Sequence, residues 1–199
     1  MAQALDDLLD SLEDADDATR EEAAKALAEL ANPATLDALI GACGDEFWSV
    51  RTRAGWGVAK IGGPKAIEAL IVLFNDPIME VRNEAVAAVV SLGAGQLDRL
   101  LAAMKDERWR VREHAAKACG GRHDAGAVDA LIFASRARDG AVKSAAAEAL
   151  GKIGDPKAIP ALVKLFRDSS KIVRETAGIA LVAIGKPSVD LLLETMKDK

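Results

Sequence analysis

The feature that most constrains the fold is an internal repeat of about 31 residues. Six segments align without gaps: TREEAAKALAELA (19–31), VRTRAGWGVAKIG (50–62), VRNEAVAAVVSLG (81–93), VREHAAKACGGRH (111–123), VKSAAAEALGKIG (142–154) and VRETAGIALVAIG (173–185). They share a basic residue at steps of 31, 31, 30, 31 and 31 residues: Arg20, Arg51, Arg82, Arg112, Lys143 and Arg174. A repeat this short cannot bury its own apolar face, so neighbouring repeats must stack on one another.

Each repeat carries two helical segments. An apolar stretch such as AIEALIVLF precedes the basic one, with Leu and Ile three or four residues apart, which predicts an amphipathic helix. Turns such as GGP (62–64) and GDP (154–156) end one helix with Gly and begin the next with Pro. The pattern predicts one all-α domain over residues 1–199 with thirteen helices. These are six pairs, at about 3–31, 33–62, 64–92, 95–121, 125–154 and 156–185, and a closing helix at 187–198.

The consensus VRxxAAxALGxIGDPxAIPAL, clearest at residues 142–162, resembles HEAT repeats of the phycobilisome-lyase type. The resemblance covers nearly all of the chain. It implies a right-handed, armadillo-like α-solenoid in which the second helix of each pair lines the concave side. Such repeats serve as binding scaffolds in many unrelated settings, so the resemblance is specific for a fold and weak for a function.

Helical periodicity separates the core from a candidate binding face. With the shared basic residue as position zero, positions −1, +3, +6, +7 and +10 fall on one apolar face, occupied in repeat 2 by Val50, Ala54, Gly57, Val58 and Ile61. All three tryptophans fall on the opposite face, and Trp, Arg and Met are enriched in protein interfaces. We therefore predict a partner-binding surface formed by Trp48, Arg53, Trp56, Met79, Trp109, Arg110, Glu113 and His114. The alternative is that the tryptophans fold back and are partly core.

A second regularity places Asp six residues before the basic position. HEAT-like families use these positions for a ladder in which Asp accepts hydrogen bonds at an inter-helix turn and Arg of a neighbouring repeat completes them. The resemblance thus implies a structural role for Asp45, Arg51, Asp76, Arg82, Asp106, Arg112, Asp168 and Arg174. Repeat 5 has Ala137 and Lys143 at these positions, which predicts that the pair is lost there and that amide exchange is faster at residues 135–145.

Catalytic and metal-binding patterns are scarce. Of the two histidines, His123 falls in an irregular turn, and His114 has no second imidazole to share a metal with. Cys43 and Cys119 align with core positions. Deoxyhypusine hydroxylase, an enzyme built from such repeats, binds iron through His-Glu dipeptides, whereas this chain has only the reversed Glu113-His114. Phosphate-binding glycine loops and GxSxG are also missing. We expect no catalytic residue, no metal and no cofactor.

Charge and hydropathy indicate the class of partner. The net charge is −5, with nine acids and only Arg20 as a base in residues 1–22, which is unfavourable for nucleic acid. No apolar run approaches the ~20 residues of a membrane span, and the acidic amino terminus is unlike a signal peptide. We predict a cytoplasmic monomer that binds a protein or peptide. Two alternatives are a bilin lyase or lyase subunit that binds a tetrapyrrole, and a DNA-binding protein of the HEAT-like alkylpurine glycosylase type.

Overall fold

The computed structural model describes residues 2–93 and 95–189, and every regular element among them is helical. Short 3-10 turns at Pro33–Thr35, Ala125–Ala127 and Pro156–Ala158 lead into three of the helices. Residues 186–189 are again helical, and the remainder of the predicted closing helix lies outside the described residues. The α-helices are α1 (Ala2–Ser11), α2 (Asp17–Leu30), α3 (Leu36–Ala42), α4 (Trp48–Ile61), α5 (Pro64–Leu73), α6 (Met79–Ser91), α7 (Leu97–Ala103), α8 (Trp109–Gly121), α9 (Val128–Ala134), α10 (Gly140–Ile153), α11 (Ile159–Leu165) and α12 (Lys171–Ile184).

The chain divides into two compact units, an N-terminal unit of residues 1–96 and a C-terminal unit of residues 97–199. In the N-terminal unit, α4 packs against α2, α6 and its pair partner α3. In the C-terminal unit, α10 packs in the same way against α8, α12 and α9. Second helices thus form one layer and first helices another, which confirms the predicted all-α helix pairs. The single domain and the right-handed sense stay predictions.

The predicted apolar face is the core of each unit. Val50, Ala54 and Val58 of α4 are fully buried, whereas Ile61, at the helix end, is only partly buried. Small residues bring second helices close together. A Cβ atom on Gly151 would lie 2.7 Å from the Cα atom of Ala180 in α12, so α10 and α12 touch through their backbones.

A ladder of arginine and aspartate ties consecutive turns together. Arg51 donates from Nε to Asp76 Oδ2 at 2.7 Å and from Nη2 to Asp76 Oδ1 at 2.9 Å. Its Nη1 also donates to the carbonyl oxygens of Asp45 and Glu46, at 2.8 and 3.0 Å, in the turn before α4. Arg20 repeats the arrangement one step earlier, with Nε at 2.8 Å from Asp45 Oδ2. Each guanidinium therefore holds its own turn and the carboxylate of the next.

The aspartates also order their own turns. Asp45 and Asp76 each accept a hydrogen bond at 2.8 Å from the amide two residues later, and Asp168 accepts one at 2.9 Å. Burial alone would raise the pKa of Asp45, but the hydrogen bonds from Arg20 and from the Phe47 amide outweigh it and lower that pKa. The Asp45 carboxylate is therefore held ionised where its turn needs an acceptor.

The remaining ladder arginines keep the carbonyl contacts. Nη1 of Arg82, Arg112 and Arg174 lies 2.6 to 2.7 Å from the carbonyl oxygen six residues earlier. The Nε atom of Arg82 is buried without a hydrogen-bond partner among the described residues. Asp106 pairs with Arg108 of its own turn, at 2.8 Å, and this hydrogen bond lowers the pKa of Asp106 to about 2.

The predicted loss of the ladder at repeat 5 is wrong. Lys143 donates from Nζ to Asp168 Oδ2 at 2.6 Å, so the lysine keeps the carboxylate of the following turn. The carboxylate missing at Ala137 is replaced by Asp139, whose Oδ2 accepts from Arg112 Nη2 at 2.7 Å. The carboxylate partners of Arg20, Arg51, Arg112 and Lys143 all belong to the next repeat, 25 to 27 residues on, so Lys143 and Ala137 were never partners of each other.

Candidate functional site

The exposed side of α4 carries the predicted tryptophan surface of the N-terminal unit. Trp48 is 48 % exposed and Trp56 is partly buried. Met79, at the start of α6, is 56 % exposed. A shallow open cavity of about 350 Å³ lies over this helix. We call its lining the α4 surface, and it consists of Glu21, Trp48, Ser49, Thr52, Arg53, Trp56, Glu80 and Glu84.

Neighbouring helices hold the side chains of the α4 surface in place. Trp56 Nε1 donates to Glu84 Oε2 of α6 at 2.9 Å, and Arg53 Nε donates to Glu21 Oε1 of α2 at 3.2 Å. The indole therefore has its polar atom satisfied on one side while part of its ring remains accessible. Trp48 is thus exposed and Trp56 is partly buried against α6, and the role of both in binding a partner stays a prediction.

Acidic residues dominate this lining. Three glutamates, Glu21, Glu80 and Glu84, face a single base, Arg53, which already pairs with Glu21. The whole N-terminal unit has 17 acidic and 7 basic residues, a formal charge of −10. Residue periodicity drew attention to the tryptophans but missed Glu80 and Glu84. Helical periodicity could have identified both glutamates, because they occupy positions −2 and +2 of α6, on either side of the same exposed face.

The C-terminal unit carries the third tryptophan. Trp109, at the start of α8, is 39 % exposed, and the guanidinium carbon of Arg110 lies 5.0 Å from the centre of its ring. Glu113 is mostly buried and accepts from Lys117 Nζ at 2.6 Å. Trp109 and Arg110 therefore form a stacked cation–aromatic pair at the surface.

The prediction that His114 belongs to the exposed partner-binding surface is wrong. Its exposed fraction is 2 %, and its Nδ1 lies 2.7 Å from the carbonyl oxygen of Arg110. The residue at the same position +2 in α10, Ala145, is also 2 % exposed. The cause is the tight lateral packing of α8, α10 and α12, in which a Cβ on Gly120 would meet the Cα of Ala149 at 2.6 Å. Position +2 is thus an inter-helix position in α8 and α10.

Other chemically active groups are either buried or in turns. Burial raises the pKa of the Cys43 and Cys119 thiols to about 12. His123 adopts a left-handed backbone conformation, with φ of 54°, and its Nδ1 lies 2.7 Å from the carbonyl oxygen of Lys152. Across residues 2–93 and 95–189, no three potential ligands converge on a common metal position. Within the same ranges, no helix has the length and apolar character to cross a bilayer.

Comparison with known proteins identifies the repeat. A family model described as HEAT repeats matches residues 5–91, 97–182 and 132–199. No curated protein sequence gives a significant match to the chain.

Solved structures of repeat proteins resemble the chain in fold. A designed armadillo repeat protein in complex with the peptide (KR)4 is 22 % identical, covering 91 % of this chain and 99 % of the designed one at a TM-score of 0.53. An engineered protein is 24 % identical, and the match covers 91 % of this chain and 98 % of the engineered one at a TM-score of 0.53. The complex of CpcE and CpcF of phycocyanin lyase from Nostoc sp. PCC7120 contains a chain that is 21 % identical. The match covers 75 % of this chain and 99 % of that one at a TM-score of 0.60. At these identities the likeness shows the fold alone.

Proposed function

The chain belongs to the HEAT repeat family, and on this basis we propose that it is a non-catalytic interaction scaffold whose α4 surface docks a basic segment of a partner protein. The observation that carries the proposal is an exposed Trp48 beside a partly buried Trp56 whose indole N–H is held by Glu84. A tryptophan fixed in this way presents its ring with little loss of conformational freedom on binding. Exposed Met79 adds a third apolar anchor at the start of the next helix in this layer.

Charge decides the chemistry of the partner. A lysine or arginine side chain entering the α4 surface would meet the carboxylates of Glu80 and Glu84 and the faces of the indoles. Cations bind indole faces favourably, and an acidic unit of formal charge −10 also accelerates the approach of a basic segment. Arg53, paired with Glu21, lies at the rim and orders one wall.

Trp109 and Arg110 form the corresponding part of the proposal in the C-terminal unit. The exposed indole is an anchor and the stacked guanidinium a polar rim, with Glu113 supporting the same helix face through Lys117. His114 is not part of this surface, because a side chain that is 2 % exposed cannot contact a partner.

The alternatives have less support. Likeness to the CpcE–CpcF complex is a likeness of fold, and the propionates of a bilin would face three glutamates at the α4 surface. Those glutamates would equally repel the phosphates of DNA. The same glutamates would attract a protein or peptide segment that carries lysine or arginine, because the charges are opposite.

The test uses two peptides of ten residues, one alternating Lys and Leu and the other Glu and Leu, in isothermal titration. We expect the Lys-Leu peptide to bind and a Trp48→Ala, Trp56→Ala variant to lose about 30-fold in affinity, the equivalent of ~2 kcal/mol for a true anchor. Glu84→Gln should weaken binding while preserving the hydrogen bond to Trp56.

Phe133→Ala is the matched control, since Phe133 is an aromatic residue that is 73 % exposed on α9. Circular dichroism and melting temperature verify that each variant is folded. The proposal is overturned if the Lys-Leu peptide does not bind, if the Glu-Leu peptide binds better at this surface, or if the double tryptophan variant changes affinity no more than Phe133→Ala does.

A further inference from the structure

A separate concavity of the C-terminal unit lies between the first helices α9 and α11. It is an open cavity of about 810 Å³ that also reaches the turns following both helices. Five basic residues line it, and we call this lining the basic groove: Arg136, Lys143, Lys157, Lys164 and Arg167. Asp168 is the one carboxylate in the same lining. A cavity of this size and charge is a candidate anion site.

Two of the five cations are already neutralised. Lys143 Nζ lies 2.6 Å from Asp168 Oδ2, and Lys157 Nζ lies 2.6 Å from Asp129 Oδ1. The other three, Arg136, Lys164 and Arg167, are exposed, and none has an ion-pair partner among the described residues. The groove therefore presents three uncompensated positive charges, in a unit whose 14 acidic and 19 basic residues give a formal charge of +5.

The basic character is not a property of the repeat. In the N-terminal unit, the equivalent positions between α3 and α5 are occupied by Gly44, Val72 and Asn75. The same architecture there carries no charge at any of the three positions where the basic groove has Arg136, Lys164 and Arg167. In repeat 4, Lys105 occupies the position of Arg136 and Arg167, so cations at these positions are confined to repeats 4 to 6, in the C-terminal unit.

The exceptional residue of repeat 5 lies in the groove wall. Ala137 lines the cavity at the position where the other repeats have a ladder aspartate, so one negative charge is missing from the wall. The ladder is maintained by Asp139, two residues further along, which accepts from Arg112. The alanine therefore raises the positive potential of the groove without leaving Arg112 unpaired.

We propose that the basic groove binds an acidic peptide segment of a partner protein, with at least two carboxylates and an apolar side chain between them. Arg136, Lys164 and Arg167 would pair with the carboxylates. Apolar wall residues that include Ile132, Pro160 and Val163 would contact the aliphatic part. A nucleic-acid site favours an extended basic stripe over a compact concavity with apolar walls. The proposal concerns a different surface from the α4 surface and does not depend on it.

The test measures binding of the Glu-Leu peptide described above by isothermal titration at several salt concentrations. We expect the triple variant Arg136→Ala, Lys164→Ala, Arg167→Ala to weaken binding about tenfold or more and to reduce its salt dependence. The matched control, Lys152→Ala, Lys171→Ala, Lys186→Ala, removes the same charge from exposed lysines outside the groove and should change affinity much less.

A second variant keeps all the cations. Ala137→Asp restores the residue used at this position by the other repeats, so it should fold, and it should weaken peptide binding by adding a carboxylate to the wall. The Trp48→Ala, Trp56→Ala variant should bind the Glu-Leu peptide as the unsubstituted protein does, which separates this proposal from the preceding one.

Three kinds of outcome would overturn the proposal. The first is that the groove does not hold the peptide, seen either as no binding of the Glu-Leu peptide or as equal losses of affinity in the triple variant and its lysine control. The second is tighter binding of a single-stranded oligonucleotide that the groove substitutions abolish, which would make the groove a nucleic-acid site. The third is salt-sensitive self-association in analytical ultracentrifugation that the peptide displaces, which would make a second copy, through its acidic N-terminal unit, the occupant.

Discussion

Arg51 of α4 and Asp76, in the turn after α5, form a bidentate ion pair in which both side chains are at least 90 % buried. The same arginine donates to two carbonyl oxygens of its own turn, so one side chain fixes two successive turns. The Arg20–Asp45 pair repeats this geometry one step earlier. The two pairs therefore tie together the turns before α2, α4 and α6, the helices whose side chains line the α4 surface.

Removing one partner of this pair should destabilise the protein strongly. Asp76→Ala would leave the Arg51 guanidinium buried without its carboxylate, which costs about 3–5 kcal/mol. Urea denaturation gives the free energy of unfolding. Asp37→Ala is the control, because Asp37 pairs with Lys65 at 2.8 Å but both side chains are well exposed, and such pairs contribute ~1 kcal/mol or less. Equal losses in the two variants would contradict a buried, structural pair.

The close approach of α10 and α12 should not tolerate a methyl group. In Gly151→Ala the new Cβ would lie 2.7 Å from Ala180 Cα and 2.8 Å from its Cβ, so the helices must separate, at a cost of about 1–3 kcal/mol. At Gly140, on the same helix, the nearest atom would be 3.9 Å away, and Gly140→Ala should be neutral or slightly stabilising. Thermal unfolding of the two variants measures the difference, and a stable Gly151→Ala protein would show that the helix layer can relax.

Asp139 should prove to be the substitute for the missing ladder aspartate. Asp139→Ala removes the carboxylate from Arg112 and should lower the free energy of unfolding by ~1 kcal/mol, since the pair is partly exposed. Adding Ala137→Asp to that variant should recover most of the loss. Amide exchange at residues 135–145 should then be as slow in the unsubstituted protein as in the other turns, and faster in Asp139→Ala. Fast exchange in the unsubstituted protein would restore the sequence-based expectation.

Low pH should decrease the free energy of unfolding through protonation of Asp106. The hydrogen bond from Arg108 holds its pKa at about 2 in the folded protein, below the value of about 3.9 in an unfolded chain. The unfolded state therefore binds more protons in this range. The contribution of Asp106 to stability is present above pH of about 4 and is lost as the pH falls towards 2. Unfolding free energies across this range should fall less in Asp106→Asn than in the unsubstituted protein, and parallel curves would contradict the assignment.

The sequence by itself determined the architecture. A period of 31 residues located the helix pairs, and the spacing of Val50, Ala54 and Val58 identified the buried face, because helical geometry fixes the direction of each side chain relative to its own axis. The same reasoning located Trp48 and Trp109 on exposed faces. These conclusions need only the chain's local periodicity.

Tertiary structure decided every question that depends on distances between repeats. It buried His114 between packed helices, paired Trp56 with Glu84 and gave Arg112 the carboxylate of Asp139. It also gathered Arg136, Lys164 and Arg167 around one groove. Residues 25 to 32 positions apart meet only when two helices pack at a particular separation and angle, and that geometry follows from side-chain volumes along the whole contact. A periodic pattern gives the direction of a side chain, whereas packing determines what it touches.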